Sequence, residues 1–163
     1  SSYCILFFML SISHAVTGAF IAVKIGNPVL AFPLIILSHY LEDSIHHWDV
    51  GTGISGGTKS SALAFRHELF DLTLAAVFVL FYFANGTAII QHPLSIFTSP
   101  YFFGALIGIL PDLLEAPRNF WKYEPVWLAP INRFHGRFHH SIPQIIPGLA
   151  PQVILLTLLW FLR

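Results

Sequence analysis

The sequence predicts an all-α fold: a polytopic membrane bundle of about five helices, built as two helical hairpins and a C-terminal helix, with a polar site at one membrane face. Three observations predict it. The 163 residues are 55% hydrophobic and only 10% charged, and the mean hydropathy is +0.70. A soluble domain carries about 25% charged residues, so this chain lacks the charge to cover a water-facing surface. Apolar runs of helical length alternate with Pro, Gly and Asn punctuation. Histidines and carboxylates gather where several of those runs end, which is costly in a bilayer unless they serve a purpose.

The elements follow in order. Residues 3–23 form the first apolar stretch, which IGNP (25–28) breaks. The second runs over 28–48, with Pro28 at its start and a polar cluster at its end. GTGISGGTKSS (51–61) reads as a polar loop. A third helix covers 66–84 and stops at NGT; a loop with QHP and TSP leads to a fourth over 100–114, closing on PDLLEAP. A long loop rich in Trp, Arg, His and Pro precedes the last helix, 147–162. At ~1.5 Å per residue, such helices approach the ~30 Å hydrocarbon thickness. One domain, 1–163, suits the length. The N-terminus lacks a positive leader region and a small-residue cleavage site, and reads as a mature helix.

Charge and cysteine usage exclude some functions. Lys and Arg number eight and the formal charge is zero, so no basic face for nucleic acid exists. Cys4 is the sole cysteine, which excludes a disulfide framework and a thiolate zinc site. Nine histidines are the unusual count, and nitrogen and oxygen ligands suit zinc foremost, then manganese or iron. With loops assigned alternately, Lys59, Arg66, Arg118, Lys122, Arg133 and Arg137 fall on one side, Lys24 and Arg163 on the other. The positive-inside rule orients the first side, with the polar site, to the cytoplasmic face of an inner or plasma membrane.

The polar residues converge by depth and by spacing. His14 lies twelve residues before the turn at Gly26 and His39 thirteen after it, so an antiparallel hairpin levels them roughly 18–20 Å from the turn. Asp71 and Asp112 are symmetric about the loop near 91–92. His39 with Asp43, His67 with Asp71, and His135 with His139 stand at i and i+4, a spacing that puts two side chains on one helix face. Buried carboxylates at Asp43, Asp71 and Asp112 would each cost ~2.5–3.5 kcal/mol mid-bilayer unless paired, protonated or bound to a cation. The expected ligands are therefore His14, His39, Asp43, His67, Asp112, His135 and His139, around one to three divalent ions. His140 competes with His139 for its place. His46 and His47 read as interfacial, His92 as loop, and the Trp and Phe residues of 120–138 as an interfacial belt. A faint internal repeat lays LSHYLEDSIHHW (37–48) over LPDLLEAPRNFW (110–121).

Three of these segments, SHYLED (38–43), LPDLLE (110–115) and FHGRFHHS (134–141), resemble signatures of the YdjM-like membrane-bound metal-dependent hydrolases. The resemblance assigns metal-binding roles to His14, to Pro111–Asp112, to His135 with His139 and Ser141, and to His39 with Asp43. The motif order is permuted here, and HGRFHHS replaces the family's HRGxTHS. The H-x-x-x-D pairs are also similar to those of zinc-dependent phospholipase C and P1-type nucleases. The resemblance implies a membrane-embedded, metal-dependent hydrolase; a site open at the lipid–water boundary suggests a phosphoester of a lipid or polyprenyl substrate, cleaved by metal-activated water. Glu42, Asp71 or Glu115 would act as general base, and Arg137, Arg118 or Arg133 would clamp the anionic headgroup. Membrane lipids are the expected surroundings. The alternatives are a metal-ion permease and a structural protein whose helices a metal pins together.

Overall fold

A computed structural model describes residues 11–48, 60–84 and 91–163. The start of the first apolar stretch, Cys4, Asp49, most of the GTGISGGTKSS loop with Lys59, and NGT lie outside the described residues. The described chain is helical, as expected, and holds no β-strand. Helix α1 (Ser11–Ile25) and α2 (Pro28–Asp43) form the first hairpin. Gly26 makes the turn at φ +66, a left-handed conformation that glycine adopts freely. Asn27 Oδ1 then caps α2, accepting from Val29 N at 2.9 Å and Leu30 N at 3.3 Å, and Pro28 occupies a first-turn position where no N–H is needed.

Helix α3 (Ser61–Phe83) begins five residues earlier than the apolar pattern indicates, because Ser60 Oγ accepts from Leu63 N and caps it there. A 3₁₀ turn (Pro93–Thr98) leads to α4 (Pro100–Gly108). The single helix expected over 100–114 is two. The chain breaks at Ile109 and restarts as α5 (Leu110–Trp121), since Pro111 has no N–H to continue the ladder. Part of the expected long loop is also helical: α6 spans Ala129–His135. Helix α7 (Ile145–Leu162) closes the chain.

Helix α1 is central, packed on α2, α3, α4 and α7. Its apolar core joins Ile12, Val16 and Ala19 to Ala75 and Val79 of α3, Ile109, and Leu156 and Leu159 of α7. Against α4 the backbones nearly touch: a Cβ at Gly18 would overlap the Gly104 carbonyl, and one at Gly108 would overlap the carbonyl of His14. Small residues permit this approach, and it brings the α2–α4 pair and α1 into one polar centre.

Polarity is distributed inside out. His14, His39, Asp43, His47, Asp71, Asn132 and His135 are all buried. Meanwhile Val29, Leu30, Leu41, Leu69, Phe81, Ile154 and Phe161 are at least half exposed. Among the described residues one helix, α7, is long and apolar enough by length and composition to cross a membrane; the described part of α1 is apolar but shorter. Five spans are not what the described helices show. Helix α4 has nine residues, and α3 carries Arg66, Glu68 and Asp71 in its first half.

Candidate metal centre

Asp43, at the last turn of α2, is fully buried and surrounded by imidazoles. Its Oδ2 lies 3.1 Å from His39 Nε2 and 2.7 Å from His135 Nε2. Asp112, in the first turn of α5, approaches the same two nitrogens, with Oδ1 at 3.7 and 3.5 Å. One atom from each of His39, Asp43, Asp112 and His135 fits within a 4.8 Å span. That is a four-donor N/O set of the kind that holds a divalent ion.

The other oxygen of Asp43 faces a second set. Its Oδ1 stands 3.2 Å from His14 Nε2 and 4.0 Å from His47 Nε2, and Asp43, His47 and His139 form a second group within the same span. Asp43 thus belongs to both groups, one oxygen toward each, as a bridging carboxylate does. Backbone pairing creates the second group. His140 N donates to Asp43 O at 3.1 Å, His47 N to His140 O at 3.2 Å, and Ile142 N to His47 O at 2.7 Å. An isolated parallel bridge joins His47 to Ser141. Trp48 N donates to Gly148 O, and a side chain at Gly148 would strike the Trp48 backbone. These contacts hold the 44–48 segment against the start of α7 and set His47 beside His139.

The imidazoles are oriented from behind. His39 Nδ1 donates to the Gly108 carbonyl at 2.7 Å, and His47 Nδ1 to the Ile45 carbonyl at 2.7 Å. A carbonyl only accepts, so in both rings the proton sits on Nδ1 and the Nε2 lone pair points inward. His14 Nδ1 faces Glu42 Oε2 at 3.2 Å, and His135 Nδ1 faces Glu115 Oε1 at 3.3 Å. A carbonyl or carboxylate behind each ring is the usual outer layer of a histidine metal site.

The inward atoms fit a cation better than they fit one another. His39 Nε2 meets His135 Nε2 at 3.3 Å, and His47 Nε2 meets His139 Nε2 at 3.3 Å. Among the inward atoms, Asp43 Oδ1 is buried without hydrogen-bond geometry to any protein atom. Orphaned buried polar atoms are costly, and a divalent ion at the centre would satisfy the donors grouped there. Burial alone would depress the His135 imidazole, but hydrogen bonding to Asp43 and Glu115 and the nearby Asp112 charge push it up to about 10. Burial likewise raises the Glu115 carboxyl, yet His135 and then Arg118 hold it below its ordinary value. The raised His135 value describes negative potential around its ring, which a proton offsets and a metal would offset in its place.

Of the expected ligands, the structure brings together His14, His39, Asp43, Asp112, His135 and His139. His140 turns instead toward His46, with ring centroids 5.7 Å apart. His67 is in neither group of ligands; it sits on α3, partly buried, one turn before Asp71. Asp71 is not in them either. Its Oδ2 accepts from the backbone N of Ser11 at 2.8 Å, which ties α3 to α1. Among the expected bases, Glu42 and Glu115 stand directly behind His14 and His135. Arg118 pairs with Glu115 at 2.7 Å, whereas Arg137 is exposed just beyond α6. The sequence reading left out His47. Its signal was present: Asp43 and His47 are also i and i+4, extending His39–Asp43 by another step. The faint repeat gains a structural meaning, because it aligns His39 with Asp112 and Glu42 with Glu115. At these two aligned positions each copy supplies an inward donor and a glutamate that backs a histidine.

Comparison of the chain with protein-family models, with curated proteins and with solved structures returns no match. The centre is therefore defined by its own residues: a helical protein with a buried His/Asp cluster able to hold metal.

Proposed function

We propose that this protein is a membrane-embedded, metal-dependent hydrolase acting on a phosphoester of a lipid or polyprenyl substrate. The observation that carries the reading is the shared carboxylate: Asp43 turns one oxygen to His39 and His135 and the other to His14 and His47. Paired N/O sites about one bridging acid are the arrangement that two-metal phosphoester chemistry uses. His39, Asp43, Asp112 and His135 would hold one ion; Asp43, His47 and His139, with His14 beside them, a second. A divalent ion, zinc foremost, supplies Lewis acidity that polarises a phosphoryl oxygen and acidifies water. Glu42, which pairs with His14 and lines the cavity beside it, would accept the proton of the attacking water. Glu115 keeps His135 oriented and is itself held by Arg118. Arg137, exposed beside the cluster, meets the anionic headgroup.

Embedding is supported by the inside-out polarity. Large exposed apolar faces on α2, α3, α4 and α7 suit lipid tails better than water. Trp121, Tyr123 and Trp127 are strongly exposed in the segment before α6, which suits an aromatic belt at the headgroup level. The basic residues near that segment favour the cytoplasmic face of an inner or plasma membrane. The resemblance to YdjM-like hydrolases agrees with this reading through its short motifs.

The experiment is to purify the protein, measure bound metal, and assay phosphate or headgroup release from lipid phosphoesters beside His39→Ala. Metal-dependent turnover lost in His39→Ala supports the proposal. Metal uptake into vesicles with no hydrolysis would instead make the protein a permease. Metal that only raises the melting temperature would make the centre structural.

A further inference from the structure

The residues behind the second group of ligands also wall a cavity of about 370 Å³ between α1, α2 and α7. Its lining combines two chemistries: His14, Glu42, His47 and Gln152 are polar, and Leu41, Ile154 and Leu158 are apolar. The volume lies at the small end of the ~300–1,000 Å³ typical of ligand pockets. We infer that this cavity receives an apolar chain of the substrate, with the polar linkage of that substrate lying against Gln152 and the His14 and His47 side chains. The inference rests on the proposed hydrolase reading and adds where a lipid-like substrate enters.

Two observations select a lipid chain as occupant. Helix α7, which lines the cavity through Gln152, Ile154, Leu155 and Leu158, is among the described residues the one helix long and apolar enough to cross a membrane, so this wall lies where hydrocarbon tails would lie. The second is Gln152, 5% exposed and lining the cavity. Its Nε2 donates to the Trp48 carbonyl at 3.3 Å, while its Oε1 is buried without a hydrogen-bond partner. A buried amide oxygen of this kind accepts from a donor, which a hydroxyl or amide N–H in the substrate's linkage region provides. A hydrocarbon chain alone would leave it unsatisfied, and a free phosphate would leave the leucines uncovered.

The test uses the full chain in mild detergent, loaded with zinc, and a single-chain lysophosphatidic acid carrying a diazirine in its acyl tail. After irradiation, labelled peptides are mapped by mass spectrometry and bound metal is measured in parallel. Labels are expected on 41–45 of α2 and 151–158 of α7. Leu158→Trp, on a half-exposed position where folding tolerates bulk, should weaken labelling about tenfold or more, the scale on which apolar pockets discriminate shape. Gln152→Leu should weaken labelling by a hydroxyl-bearing probe while sparing a deoxy analogue, with zinc content unchanged. Labels spread over the exposed faces of α2, α3 and α4 and indifferent to Leu158→Trp, in protein that holds its metal, would overturn the inference and leave the hydrolase reading standing. Protein that takes up no zinc would overturn the hydrolase reading itself, and elemental analysis separates that result from the first.

Discussion

Replacing Asp43 with Asn separates a shared carboxylate from an ordinary ligand. Asparagine keeps the volume of the side chain and removes its charge and one acceptor oxygen. Four imidazoles lie within 4.0 Å of the Asp43 oxygens, two on each side, so both groups of ligands lose their common anion. Structural zinc sites bind with roughly 10–16 kcal/mol across four ligands, or ~3 kcal/mol per ligand, so each site should weaken by about two orders of magnitude. Asp112→Asn and His139→Gln each touch a single group and should weaken one site by a similar factor while sparing the other. The assay is zinc content by elemental analysis combined with competition against a chromophoric chelator. The expected pattern is that Asp43→Asn empties both sites and each of the other variants empties one. Far-ultraviolet circular dichroism checks that α2 survives. Folded Asp43→Asn that keeps all of its metal, or Asp112→Asn that empties both sites together, would refute the two-sided role of Asp43.

Gly108→Ala puts a methyl group into the carbonyl of His14 and should push α4 off α1, at about 1–3 kcal/mol of stability, with weaker zinc binding because the acceptor of His39 Nδ1 moves too. Thermal melts with and without zinc report both effects; an unchanged melt would show that the seam has slack. Glu115→Gln removes the carboxylate behind His135 and should lower zinc affinity about 10–100-fold, read by the same chelator competition. In metal-stripped protein the raised value of His135, about 10 against an ordinary 6.5, makes its protonated form a stabilising one. That contribution is complete below about pH 6.5 and disappears as pH climbs through about 10. Denaturant titrations at pH 6 and pH 10 should differ in that direction, and His135→Gln should shrink the difference. Zinc affinity should run the opposite way over the same interval, rising with pH as the competing proton leaves.

Much of the centre was legible from spacing, for a simple reason. Within one helix, i and i+4 fix a shared face, and within a tight hairpin, equal distances from the turn fix a shared depth. Those rules bring His14, His39 and Asp43 together, and the rings of His14 and His39 lie with centroids 4.1 Å apart. The same rules misplace residues where a helix ends or breaks. Helix α2 stops at Asp43 and not at Trp48, so His47 reaches the centre through an extended segment whose partner lies some ninety residues away. Pro111 splits the expected fourth helix, and Asp112 therefore starts a new helix that turns toward His39 and His135. For Asp71 the spacing with His67 was sound, but its face turns to the backbone of Ser11.

The sequence by itself determined an all-helical chain, strongly apolar and unusually rich in histidine. It also pointed to most of the donors that gather at the centre, because donor chemistry belongs to residue type and local spacing to helix geometry. Only the tertiary structure decided how those donors divide. Whether Asp43 serves one group or two depends on which elements approach each of its oxygens, and that follows from the glycine seam between α1 and α4 and from the backbone bonds that set His47 beside His139. Such contacts join residues far apart in the chain, so no local pattern encodes their geometry.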